Sequence, residues 1–95
     1  MLTFLEKLKR TDEQLEVRFN QLMDENGVSH CPNCGHFITI GDMAWNSGNT
    51  EYGTGYSTVY VHCPDCLQEV VRVNSWYPDA CSTAEAIYIL EEDWV

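Results

Sequence analysis

His30-Cys31-Pro32-Asn33-Cys34 returns further along the chain as His62-Cys63-Pro64-Asp65-Cys66, one five-residue phrase written twice. Each copy holds a Cys-x-x-Cys pair, and residues 35–62 lie between the inner cysteines. Two such pairs supply four thiolates, which is the full tetrahedral shell that a structural zinc ion takes. Cys31, Cys34, Cys63 and Cys66 are therefore the candidate ligands of one ion. Proline after the first cysteine fixes φ, and Gly35 lets the chain turn back so that backbone N–H groups face the sulfurs. Such hydrogen bonds orient and tune metal ligands.

Other chemistry for these cysteines is weaker. Cys-Pro-x-Cys also occurs in redox sites, where the first cysteine caps a helix that lowers its pKa. Here Cys34 leads into Gly35-His36-Phe37-Ile38-Thr39-Ile40, a strand pattern, and the motif occurs twice. No apolar core of signal-peptide length follows Met1, so paired cysteines point to metal in a reducing compartment rather than to disulfides. The expected location is cytoplasmic. An odd total of five cysteines argues the same way. His30, His36 and His62 stand near the quartet, but four thiolates already fill a tetrahedral shell. Cys81 stands alone in the sequence and reads as a small buried apolar residue. Iron in the same sulfur shell is the remaining metal alternative.

On these residues the chain resembles the zinc-ribbon group, over roughly residues 30–73. The resemblance implies a structural ion and a small three-stranded antiparallel sheet. Members of that group serve transcription, translation and replication, and include many small bacterial and phage accessory proteins. The second knuckle departs from the common pattern in carrying Leu67 where glycine often sits. Ribbons that cleave transcripts carry an adjacent Asp-Glu pair at the hairpin tip; here only the separated Asp42 and Glu51 occur, so that activity does not carry over.

Outward from the knuckles, the expected fold is α+β: an N-terminal helical segment (1–27), a four-cysteine ribbon (28–77) and a C-terminal acidic helix packed on it (78–95). Leu5, Leu8, Leu15, Phe19 and Leu22 make one helical stripe, and Asn26-Gly27 is a stop signal. Glu6 is placed to reach Arg10 one turn on. Thr11-x-x-Gln14 reads as a capping box, which leaves one helix or two open. The stripe packs on the ribbon or, through Leu8, Leu15, Phe19 and Leu22, forms a homodimer. Phe37–Ile40, Thr58–His62 and Val70–Val73 read as strands, the last extending toward Trp76-Tyr77. Residues 41–57 read as turn and loop, an elaborated hairpin. Pro78-Asp79 breaks the sheet. Ser82-x-x-Glu85 opens a helix over about 83–92, with a strand at Ile87-Tyr88-Ile89 as second choice.

The net charge of −10 bounds function. Lys7, Lys9, Arg10 and Arg18 precede the first cysteine, and from Gly27 onward Arg72 is the lone positive residue against nine carboxylates. Phosphate binding requires clustered Lys and Arg, so direct nucleic-acid binding is disfavoured. No Ser/His/Asp constellation, phosphate loop or paired-carboxylate site is recognisable, and the expectation is a protein without enzyme activity. Trp45, Tyr52 and Tyr56 lie among glycine, serine and asparagine, as in adaptable protein-binding loops. Glu91, Glu92 and Asp93 fall where a helix dipole disfavours negative charge, which suits a surface meant for a basic partner. The expected function is docking on a protein with a basic face, as a bacterial or phage accessory inhibitor mimicking nucleic acid toward a nucleic-acid-processing complex. The alternatives are a nucleic-acid-binding ribbon working through Lys7, Lys9, Arg10 and Arg18, or a dimerising structural subunit.

Overall fold

The computed structural model describes residues 3–47, 57–77 and 80–94. Two helices come first, α1 (Phe4–Leu8) and α2 (Asp12–Glu25). Each starts with a reciprocal cap, Thr3 with Glu6 and Thr11 with Gln14. A threonine that satisfies the first amides of a new helix must itself be extended, so the second box breaks the segment in two. The expected Glu6–Arg10 pair is not made. With α1 ending at Leu8, Glu6 turns back to the Thr3 amide (3.1 Å) and Arg10 donates to the Lys7 carbonyl (3.1 Å).

α2 ends as its sequence predicts. Gly27 takes φ 71°, its N–H bonds the Asp24 carbonyl (3.1 Å), and the Val28 N–H bonds Met23 (2.9 Å). That is the six-to-one and five-to-two closure that a left-handed residue permits. The turn delivers the chain directly into the first knuckle.

The sheet is antiparallel in the order β1 (Met43–Ser47), β2 (Ser57–His62), β3 (Glu69–Ser75). Val59 sits opposite Trp45 and Val73, and Val61 opposite Met43 and Val71. This period-two set forms the inner face. On the other face Tyr60 pairs with Arg72. The expected first strand at Phe37–Ile40 is displaced. Phe37 makes only an isolated bridge to His30, Ile38 closes the knuckle on Ser29 (2.9 Å), and Ile40–Asp42 forms a 3-10 turn. Asp42 accepts from the Thr39 amide (2.9 Å) and hydroxyl (3.2 Å), fixing that turn and postponing the strand to Met43. The connection between β1 and β2 lies outside the described residues, as do Tyr52, Tyr56, Pro78 and Asp79.

α3 (Thr83–Asp93) begins at Ser82, whose hydroxyl accepts from the Glu85 amide (3.3 Å). The helix, not the strand alternative, holds over Ile87–Ile89. It buries Ala86, Ile87, Ile89 and Leu90, packing on β2 and β3 with α2 beside it. Leu15, Phe19, Leu22 and Met23 of α2 fill the same core, and Leu8 packs against it. The stripe proposed for a homodimer is thus occupied within the chain, which is the packing alternative. No helix among the described residues is long and apolar enough to cross a membrane.

Candidate metal centre

The two knuckles are built by the same backbone bonds. In the first, the Cys31 N–H bonds the His36 carbonyl (2.8 Å) and the Gly35 N–H bonds the Cys31 carbonyl (2.8 Å). In the second, Cys63 bonds Gln68 (2.9 Å) and Leu67 bonds Cys63 (2.9 Å). Both turns need a left-handed residue, Gly35 at φ 79° and Leu67 at φ 63°. Leucine accepts that conformation against a steric cost of about 1–2 kcal/mol. The departure noted at Leu67 therefore changes the energy of the turn and leaves its shape intact.

The turns bring Cys31, Cys34, Cys63 and Cys66 together, with all four sulfurs within 4.8 Å of one another. Between knuckles, Cys31 Sγ lies 3.7 Å from Cys66 Sγ, and Cys34 Sγ lies 3.4 Å from Cys63 Sγ. A tetrahedral ion with metal–sulfur bonds of about 2.3 Å separates its sulfurs by roughly 3.8 Å. The quartet fits that ion. Its cysteines are free rather than disulfide-linked; Cys31 and Cys63 are buried, Cys66 is half-buried and Cys34 is exposed.

Hydrogen bonds to sulfur come from the predicted direction. The His36 amide draws the Cys34 thiol downward and the Gln68 amide does the same to Cys66, so each knuckle turns one N–H toward its second thiol. Cys66 is held down to about 6, first by the Asn33 side-chain amide and then by Gln68. For Cys34 the His36 amide pulls downward, but Cys63 leads the other thiols in pushing it up to about 12. Thiolates this close repel one another, and a cation at their centre relieves that repulsion.

Sequence reading missed the contacts that cross between knuckles. The variable position of Cys-Pro-x-Cys is Asn33 in one copy and Asp65 in the other, and each reaches the opposite knuckle. The Asn33 side-chain amide draws the Cys66 thiol down, while Asp65 lies 3.2 Å from His36 Nδ1. The difference follows from donor chemistry: an amide donates to thiolate, whereas a carboxylate only accepts and needs a histidine. The polar variable residue in both copies was the available signal. None of the histidines joins the sulfurs, since His30 meets Ser29 (3.3 Å) and stacks near Phe37, and His62 lies against Tyr60. Cys81 is exposed and outside the quartet, with its thiol on Glu85 (3.1 Å).

The other candidate residues separate. Trp45 is half-buried against the core, whereas Trp76 is exposed. Glu91 is enclosed by Arg10 and Arg18 (2.8 Å), Glu92 pairs with Lys7 (3.1 Å), and Asp93 accepts from the Ser75 hydroxyl. The acidic helix end thus binds cations of the chain's own N-terminal helices. Its cost against the helix dipole is answered from inside the molecule.

No protein-family model, curated protein or solved structure matches this chain. The reading of the site rests on its geometry. Four sulfurs closing one tetrahedral shell leave no position for water or substrate, which is the arrangement of structural rather than catalytic sites.

Proposed function

We propose that this is a non-enzymatic zinc-ribbon protein that docks on a protein partner with a basic face. The closed four-sulfur shell supports a structural ion and carries the reading. The distribution of charge supports the partner. Lys7, Arg10 and Arg18 are engaged by Glu91 and Glu92, and Arg72 by Glu69 (2.6 Å). On α2, meanwhile, Asp12, Glu13, Glu16, Asp24 and Glu25 have no cationic partner among the described residues. The exterior is therefore more acidic than the composition suggests, and an ion held by four thiolates adds two further negative charges. In the finer form of this reading, the chain is a bacterial or phage accessory protein that occupies the nucleic-acid channel of its target.

The same ion pairs weigh against the nucleic-acid-binding alternative. Three of the four N-terminal cations it needs are engaged by two carboxylates of α3. The test has two arms. Elemental analysis of the reduced protein is expected to give one zinc per chain. Immobilised protein is expected to retain a partner that elutes with rising salt, as screened charge attraction requires, and that a DNA or RNA duplex displaces. A partner indifferent to both salt and duplex sinks the mimicry, and a gel shift of duplex by the protein itself reverses the ranking.

A further inference from the structure

We infer that the groove between α2 and β1 is where that partner is gripped, and that its occupant is a lysine or arginine side chain of a basic segment. The inference rests on the docking reading above and gives it a location. The groove has a volume of about 430 Å³ and an apolar floor of Leu15, Ile40, Met43 and Trp45. One wall carries Asp12 and Glu16, one turn apart on α2. Past Asp12 and Trp45 it opens into a second hollow of about 460 Å³ that reaches Leu8 and Ser82. Arg10 borders that hollow, but its guanidinium is held by Glu91.

The chain itself shows what this combination receives. Lys7 Nζ lies 5.5 Å from the centre of the Tyr88 ring while pairing with Glu92 at 3.1 Å. Arg72 lies 5.8 Å from the Tyr60 ring while pairing with Glu69 at 2.6 Å. Twice, then, an aromatic face beside a carboxylate holds a cation. Trp45, Asp12 and Glu16 line one groove and supply the same two kinds of group, with the better aromatic and two carboxylates, and no cation of the described residues pairs with either acid. Like charges one turn apart repel, a cost that an incoming cation removes. A lysine or arginine would lay its aliphatic stem on Ile40 and Met43, its charge over the indole and between the acids.

The test uses the metal-loaded full chain and fluorescein-labelled hexalysine and hexaarginine peptides at low salt. Asp12→Asn with Glu16→Gln is expected to weaken peptide binding by about fivefold to tenfold, the range for two partly exposed ion pairs. Asp24→Asn with Glu25→Gln removes the same charge from the far end of α2 and is expected to cost under about twofold. Trp45→Phe, milder than truncation, is expected to weaken binding while leaving metal content and helicity unchanged. In an amide-resonance titration, Trp45 and the 3-10 turn residues should move first. Equal weakening by both double variants, or unmoved Trp45 signals, overturns the groove and leaves acidic docking standing. Failure of the native chain to bind either peptide overturns both.

Discussion

Replacing Glu91 with glutamine removes one negative charge from between two guanidinium groups. The Arg10 and Glu91 side chains are 7% and 9% exposed, and Arg18 is 30% exposed. Breaking a buried ion pair by removing one partner costs about 3–5 kcal/mol, mostly because the remaining charge is stranded. Arg18 can recover water and Arg10 keeps its bond to the Lys7 carbonyl, so the low end applies, about 3 kcal/mol. For a domain of this length each kcal/mol moves the Tm by about 4–8 °C, giving a fall of roughly 12–24 °C. Thermal melts of metal-loaded protein at neutral pH measure it. A loss under about 1 kcal/mol would place the cluster with ordinary surface pairs and refute the argument. Converting all three residues to apolar ones of similar volume should restore much of the stability, because a buried triad often does no better than a packed core.

The same cluster has a pH signature. Burial pushes the Glu91 carboxyl up, but the hydrogen bonds and charges of Arg10 and Arg18 outweigh it and hold the group below its usual value of 4.5. A folded pKa below the unfolded one means that the stabilisation is complete above about 4.5 and is lost as pH falls through the folded value. The native chain should therefore lose stability across that acid window, and Glu91→Gln should lose less of it.

Further outcomes are expected from single substitutions. Leu67→Gly relieves about 1–2 kcal/mol of left-handed strain and costs about 0.5–1 kcal/mol in added freedom of the unfolded chain, for a net gain of up to about 1.5 kcal/mol. Gly35→Ala, with nothing within 4 Å of its new Cβ, should lose about 1 kcal/mol by the same reasoning; denaturant titrations giving both changes the same sign would contradict it. Phe19→Ala empties a fully buried site and should cost about 3–5 kcal/mol in denaturant. Cys63→Ser should abolish stoichiometric metal while Cys81→Ser leaves it unchanged, as read by elemental analysis.

Local signals with a strict geometric meaning were legible. The Cys-x-x-Cys repeat located the metal quartet, the Thr11–Gln14 box located the helix break, and Asn26-Gly27 located the end of α2. Phe37–Ile40 misled because alternation over so few residues does not distinguish a strand from a knuckle flank. Asp42, capping back onto Thr39, decided the matter. The internal contacts of the acidic end of α3 were not legible for another reason. A charge at the wrong end of a helix is unfavourable only when considered alone, and its partners Lys7, Arg10 and Arg18 lie more than seventy residues away in sequence. The groove was half visible: Trp45 was singled out, but Asp12 and Glu16 belong to a helix whose placement beside β1 no local pattern encodes.

The placement of Cys31 and Cys63 makes the metal and the apolar core a single unit. Both lie in the cluster that contains Phe19, Met23, Val61 and Ile87, so the ligands are core residues as well as donors. The knuckles cannot open without disturbing the packing of α2 and α3. Conversely, α2 ends in a turn that leads straight into the first knuckle, so a shift of that helix moves Cys31. Structural zinc contributes about 10–16 kcal/mol in finger peptides, as much as the about 5–15 kcal/mol by which whole domains are stable. Chelation should therefore remove the helical signal together with the tertiary packing, in one step. Helices that outlast the metal would mean that the core stands alone, and the ion would then be an ornament of the knuckles rather than the fastening of the fold.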